Sequence, residues 1–500
     1  MRFNILFGGK AGQGISALAY VLARALVRKG YYAFYSRDYQ SLIRGGHNFD
    51  VLTFSNEPVY SNDSKLDVIV ALDDMTELIH KSQLKKHGLI VKGHSELGNM
   101  FFAGRIFKIL GIEFEFLKEE LKNLEKYEEN IKAAEKGYNS EKEVFELENV
   151  INKENKVFRN GSMGIAEGAI HSGLDIYYAY PMTPATPILK ELAEKQIKGF
   201  FLVLELENEI AVANAGIGSA ITGAKVMVGT SGGGFDLMSE ALSLCGIAGV
   251  PLVFYLAQRQ GPGTGVATYQ SQADLNIARF SGHGEFPRVV LAPGDPVEAE
   301  ELTSQGFYLS QKFKIPCIII SDKHLAESFY TIKEIPEVIK SKKQTNFSRY
   351  NSYEKDKYGS ATDNPQIIVS NVNKRKEIKK SLIEESENFD QYKVFGNPSS
   401  DNVVVAWGST KGAILDCIRQ GLDVKFVQIL YIEPFPKKDL WKEFIGKNLI
   451  LVENNSTGQL GELIKEKLGF NIPEKNKILK YNARPFLHDE LKKEIEKRLR

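Results

Sequence analysis

Three cysteines, two tryptophans and no surplus of either charge are the first facts of this 500-residue sequence. Cys245, Cys317 and Cys417 stand far apart with no C-x-x-C pairing, so alone they cannot form a four-thiolate zinc or iron–sulfur site. They suit buried thiols in a reducing compartment. The 64 Lys and Arg against 63 Asp and Glu argue against nucleic acid or a polyanionic surface as the main partner. No apolar run approaches the roughly 20 residues of a membrane span. The opening MRFNILFGGKAGQG reaches its glycines too early for a signal peptide and has no small-residue cleavage site. A cytoplasmic chain of two to four domains is expected, since this length exceeds what one core serves.

What is present is strand–helix alternation. Residues 1–155 read as one α/β unit: the strand RFNILFGG, the glycine-rich turn KAGQG and an amphipathic helix ending at Gly30, then apolar strands at DVLTF, LDVIVAL and GLIVK. The KAGQG turn fits neither G-x-G-x-x-G nor a Walker A loop. It either holds an anion at the helix N-terminus or packs strand against helix without a ligand. The Arg44-Gly45-Gly46-His47 turn reads first as a surface turn, and the Lys/Glu-rich run from Leu117 to Lys156 as a solvated helix or linker.

Residues 156–335 carry the unusual turns. Strands are expected at 176–180, 200–206, 225–231, 251–257, 288–293 and 315–321, mostly separated by helices, as in a doubly covered parallel sheet. The turns PMTPAT, ENE, GGG and QRQGPGTG then open on one carboxyl edge, where such sheets bind ligands. Singly, each has a plain reading. Thr183 or Thr186 caps a helix with Pro184 or Pro187 at its start; Glu209 complements a helix dipole; Ser231-Gly232-Gly233-Gly234 is a flexible turn. Together they are harder to explain by packing. Residues 336–395 are polar with little periodicity and read as a connecting segment. Residues 396–500 return to strand–helix alternation, with Glu453-Asn454-Asn455 and Thr457-Gly458-Gln459 at a strand's carboxyl edge as a domain or subunit contact.

On these motifs the sequence resembles the 2-oxoacid:ferredoxin oxidoreductases. YPMTP is similar to the YPITP segment of their α subunit. LENEIAVANAGIGSAITGAKVMVGTSGGG resembles its glutamate-bearing helix and TSG loop, and QRQGPGTG its Q-R-x-G-P-S-T-G stretch. Residues 1–155 resemble the γ subunit, fused ahead, and AWGSTKGA, YIEPFP and VENNSTGQL the C-terminal domain. The resemblance implies several doubly wound α/β domains: a central pyrimidine-binding-type domain of thiamine-diphosphate enzymes and a transketolase-C-like domain at the end. It implies oxidative decarboxylation of a 2-oxoacid with coenzyme A to acyl-CoA, carbon dioxide and reduced ferredoxin. Glu209 aligns with the glutamate that exchanges a proton with the cofactor's aminopyrimidine ring, with Glu205 and Glu207 as fall-backs. Thr183 aligns with the threonine that contacts the 2-oxoacid. The resemblance also implies that Tyr180, Arg259 and Thr264 line the pocket and that Thr230, Ser231 and Gly232 border the cofactor.

Two departures stand out. Relatives carry Lys or Arg shortly after G-P-S-T-G, where this chain has Tyr269, leaving Arg259 as the alternative cation for the substrate carboxylate. The 336–395 segment also lacks the family's H-D-E-x-G pattern. No G-D-G with a downstream N-N supplies a magnesium carboxylate, and no cysteine set supplies a cluster. The resemblance therefore implies a separate β subunit bringing Mg²⁺ and a [4Fe-4S] cluster and sharing the thiamine diphosphate, in a heterodimer or heterotetramer that reduces ferredoxin. Two rival readings are a transketolase-like or other non-oxidative thiamine-diphosphate subunit, and a non-catalytic nucleotide-binding or assembly protein using the KAGQG turn.

Overall fold

Three sheets organise the chain. The computed structural model describes residues 1–40, 46–93, 98–148, 150, 155–343 and 349–500, so Arg44 and Gly45 lie outside the described residues. The first sheet runs in the order Leu84–Lys92, Leu66–Ala71, Arg2–Lys10, His47–Ser55, Tyr32–Asp38, Phe329–Ile332, Val157–Asn160. The first three strands are parallel and the rest pair antiparallel. Its last two strands come from the polypeptide on either side of the second sheet, and Phe158 stacks on Phe329 where they meet. The Lys/Glu-rich run is not simply a solvated linker. Its first half lies in two helices, Phe114–Leu121 and Tyr127–Asn139, that bury Leu117, Leu121, Ile131 and Ala134. Their buried Glu120 accepts ion pairs from Arg24 at 2.8 Å and Arg28 at 2.6 Å. Charge density on the outer faces hid these apolar contacts from a reading by composition.

The second sheet has the order Tyr431–Glu433, Val289–Leu291, Cys317–Asp322, Val253–Gln258, Val226–Thr230, Ile176–Ala179, Leu202–Glu205. Six strands are parallel, at the six expected places. The seventh, Tyr431–Glu433, is lent antiparallel by the C-terminal part. Parallel pairing puts the ends of these strands, and the turns that follow them, on one edge. The third sheet is Tyr392–Gly396, Lys425–Ile429, Asn402–Trp407, Asn448–Glu453, Lys477–Leu479. Val228, Phe254 and Ile320 of the second sheet share one apolar cluster with Val405, Trp407 and Val427 of the third. Within the polar 336–395 segment the chain forms a 22-residue helix, Pro365–Ser386, capped by the Asn364 side chain accepting from the Gln366 amide at 2.9 Å. It buries only Leu382 and Ser386, which is why no periodicity announced it.

Candidate active site

The strand Ile176–Ala179 runs into a turn and then the helix Thr186–Gln196, which buries Ile188, Leu189 and Leu192. Pro187 occupies the first helical turn, and no side chain caps it, so Thr183 is not spent as a cap. The Arg259 Nη1 donates to the Thr183 carbonyl at 2.8 Å, tying the turn after one strand to the turn after another. Burial pulls the Arg259 pKa below its ordinary value, against the opposing fields of Asp274 and Glu209. The fields of both carboxyls therefore reach this one cation. Tyr180 is exposed beside this turn, and Thr264 is exposed on the loop closed by the Gln260–Val266 bridge.

Glu209 is the first residue of the helix Glu209–Ile221, and the cap belongs to Asn208, whose side chain accepts from the Ala211 amide at 2.9 Å. Relieved of capping, Glu209 turns inward and is 3% exposed, whereas Glu205 and Glu207 are exposed. Its Oε1 is buried and has no hydrogen-bond partner among the described residues. A Cβ on Gly234 would collide with Thr230 Oγ1 and Glu209 Oε1, so only glycine lets the SGGG turn lie against this acid. Thr230 and Ser231 are fully buried, and Ser231 Oγ also lacks a partner.

Sequence reasoning missed one carboxyl. A Cβ on Gly232 would collide with Asp274, whose buried Oδ2 is likewise unpartnered. Burial first, and Asp236 second, raise the Asp274 pKa to about 6, against the pull of Arg259. The buried Gln258 holds its main chain, accepting from the Asp274 amide at 2.9 Å and donating to the Ser321 carbonyl at 2.9 Å. Asp274 precedes the helix Leu275–Phe280 as an ordinary cap would, yet it makes no capping hydrogen bond. That disguise is what concealed it.

Tyr269 is placed elsewhere. Its ring lies under Arg484, 4.0 Å from the guanidinium, and Arg484 pairs with Asp38 at 2.9 Å. The three line a cavity of about 300 Å³ where all three sheets' domains meet. The KAGQG turn is filled by the chain itself: Gln13 accepts from the Lys10 amide at 2.6 Å and donates to the Leu72 carbonyl, and Asn99 donates to the Gly14 carbonyl. The three cysteines are buried and unpaired, with burial raising each thiol pKa. Among the described residues no group of three His, Cys, Asp or Glu could hold a metal ion, and no helix is long and apolar enough to cross a membrane.

Three orphaned buried polar atoms thus surround one glycine turn at the carboxyl edge of a doubly wound sheet. The carboxyl edge of such a sheet is where doubly wound α/β proteins bind their ligands. Comparison with known proteins specifies the class. The family model "Pyruvate flavodoxin/ferredoxin oxidoreductase, thiamine diP-bdg" matches residues 167–394, and "Pyruvate ferredoxin/flavodoxin oxidoreductase" matches 4–96. The 2-oxoacid:ferredoxin oxidoreductase subunit alpha of Saccharolobus solfataricus is 28% identical over 99% of this chain and 97% of that one. The 2-oxoglutarate synthase subunit KorA of Methanocaldococcus jannaschii is 30% identical over 62% of this chain and 90% of that one. The 2-oxoglutarate:ferredoxin oxidoreductase from Magnetococcus marinus shares the fold over 99% of both chains, with a TM-score of 0.88 at 24% identity. The chain belongs to the 2-oxoacid:ferredoxin oxidoreductase family, as an alpha subunit.

Proposed function

We propose that this chain forms one wall of an active site completed by a separate β subunit. The complex oxidatively decarboxylates a 2-oxoacid with coenzyme A, releasing acyl-CoA and carbon dioxide and reducing two ferredoxins. The observation that carries this is the unpartnered Glu209 Oε1 against the glycine wall. An acceptor so buried costs about 1–3 kcal/mol unless a ligand donor fills it, and the aminopyrimidine of thiamine diphosphate is a donor-bearing flat ring of the kind a glycine wall admits. When bound, that cofactor supplies the carbon nucleophile and electron sink for decarboxylation. The chain's own residues do the rest on this side. Glu209 Oε1 holds and returns the proton exchanged with the ring nitrogen. Arg259 and the Thr183 hydroxyl orient the 2-oxoacid carboxylate and oxo group. Thr230 and Ser231 border the cofactor, with Tyr180 and Thr264 at the mouth.

Magnesium and the [4Fe-4S] cluster are assigned to the β subunit, because the SGGG turn offers no carboxylate for a diphosphate-bound cation. The exposed rim of the crevice supports such a partner. Leu202 and Leu204 on the open edge strand are large apolar side chains about half exposed, as are Ile210 and Leu237 in the helices Glu209–Ile221 and Gly232–Leu237. Heterodimers or heterotetramers in the cytoplasm are expected. The test is co-purification with an iron–sulfur subunit, followed by a panel of 2-oxoacids with a dye acceptor. Turnover by this chain alone, loaded with thiamine diphosphate and magnesium, would refute the proposal.

A further inference from the structure

A second groove, of about 720 Å³, lies between the helix Pro365–Ser386 and the segment 279–288, a size within the range of small-molecule sites. Its floor is Arg288, 8% exposed. The Arg288 Nη1 donates to two main-chain carbonyls, Ser281 at 2.7 Å and Ala278 at 3.4 Å. No carboxylate lies within 4 Å of it among the described residues. Glu433 is the acid whose field acts on it, and Glu433 is approached instead by Lys379 at 3.8 Å. Burial accordingly pulls the Arg288 pKa down to about 10. A guanidinium held dry without a counter-ion is costly, and an arriving anion relieves that cost.

The walls are cationic in the main, with Glu285 and Glu433 as the acids among them. Arg279 and Lys467 stand on one side, Arg375, Lys376 and Lys379 on the other. Some are answered by acids: Arg279 by Glu466, and Arg375 by Glu354 at 2.6 Å. Lys376 has no ion-pair partner among the described residues. At the groove's edge Phe280 is 63% exposed, with the Arg279 guanidinium 4.5 Å from its ring, and the Phe286 ring lies 4.4 Å from Arg288. Recessed forked donors suit phosphate oxygens, and an exposed ring backed by a guanidinium suits a flat base. A protein's convex acidic surface would meet the outer lysines but would not reach Arg288.

We infer that this groove binds a phosphorylated nucleoside, with Arg288, Lys376 and Lys379 on its phosphates and Phe280 against its base. The inference does not depend on the proposed catalytic roles. It places the ligand at one end of the helix Leu275–Phe280, whose other end follows Asp274 in the catalytic crevice. Six helical residues span about 9 Å, so the two sites are close enough to sense one another.

Titration calorimetry of the assembled complex with ADP tests the idea, using the wild type and a Lys376→Glu/Lys379→Glu variant whose changes are on the outer helix. ADP is expected to bind the wild type and to bind the variant at least tenfold more weakly, with kcat for 2-oxoacid oxidation at saturating substrate unchanged. Arg288→Gln should weaken ADP further. Binding that coenzyme A fails to displace assigns the groove to a free nucleotide. Displacement by coenzyme A, with a raised KM for it in the variant, assigns the groove to the coenzyme's phosphoadenosine end. No binding of ADP to the wild type, or equal binding to both proteins, overturns the inference.

Discussion

Two buried glutamates in the strand-to-helix connections of two sheets behave oppositely. Glu453 ends the strand Asn448–Glu453 of the third sheet, and Glu209 follows the strand Leu202–Glu205 of the second. Both are buried, and both stand near asparagines ahead of a helix. Glu453 is saturated: it accepts from Trp407 Nε1 at 2.9 Å, from the Leu460 amide at 3.1 Å and from Asn455 Nδ2 at 3.0 Å. Its neighbours Asn454 and Asn455 bond Gln272, locking the C-terminal domain onto the second sheet. Glu209 keeps Oε1 empty while Asn208 does the capping. Burial alone therefore does not mark a working acid in this fold. An unfilled acceptor separates Glu209 from Glu453, and the role proposed for Glu209 rests on where that oxygen lies, against the glycine turn at the sheet's carboxyl edge.

Replacing each by glutamine should separate the two roles. Glu209→Gln is expected to lower kcat of the complex by roughly 100-fold or more, the usual scale for removing an acid–base group. The chain's melting temperature should hold or rise. Retained activity would undo the assignment of the proton to Glu209. For Glu453 the sign reverses. Burial pushes its pKa up to about 7 from an ordinary 4.5. Its contribution to stability is thus fullest below about pH 4.5 and is lost as pH rises through about 7, by about 3 kcal/mol. Urea unfolding across that window should show the wild type losing ground to Glu453→Gln by that amount, with activity per folded molecule unaltered. A difference independent of pH would mean Glu453 stays ionised throughout.

The sequence carried much of this and lost the rest for definable reasons. The six parallel strands of the second sheet were legible because two-sided burial writes nearly continuous apolar runs. That the turns bearing Thr183, Glu209 and Ser231 would open on one edge was legible because each follows a strand of one parallel sheet. Strands that cross between domains were not: Phe329–Ile332 and Val157–Asn160 are short, and local pattern does not say which sheet a strand will join. The helix Pro365–Ser386 buries too little to print a period. Tyr269 was read by its place in a motif, but its neighbours Arg484 and Asp38 come from elsewhere in the chain and draw it to another cavity. Asp274 went unread because an acid before a helix looks like a cap, and only the absent capping bond gives it away.

Asp274 offers the finest division between a structural and a functional acid. Like Glu453 it has a pKa raised by desolvation, to about 6. Unlike Glu453 it shares a cation, Arg259, with the place proposed for the substrate carboxylate. Above about pH 6 the Asp274 carboxylate competes with the 2-oxoacid for that guanidinium; below it, the neutral acid does not. The wild-type KM should therefore fall several-fold as pH is lowered through 6, a difference of about 1 kcal/mol. Asp274→Asn should show the lower KM at every pH, with kcat following the wild-type profile. Steady-state kinetics between pH 5.5 and 8 decide it, and a variant whose KM tracks the wild type would make Asp274 a second Glu453, felt by the fold and invisible to the substrate.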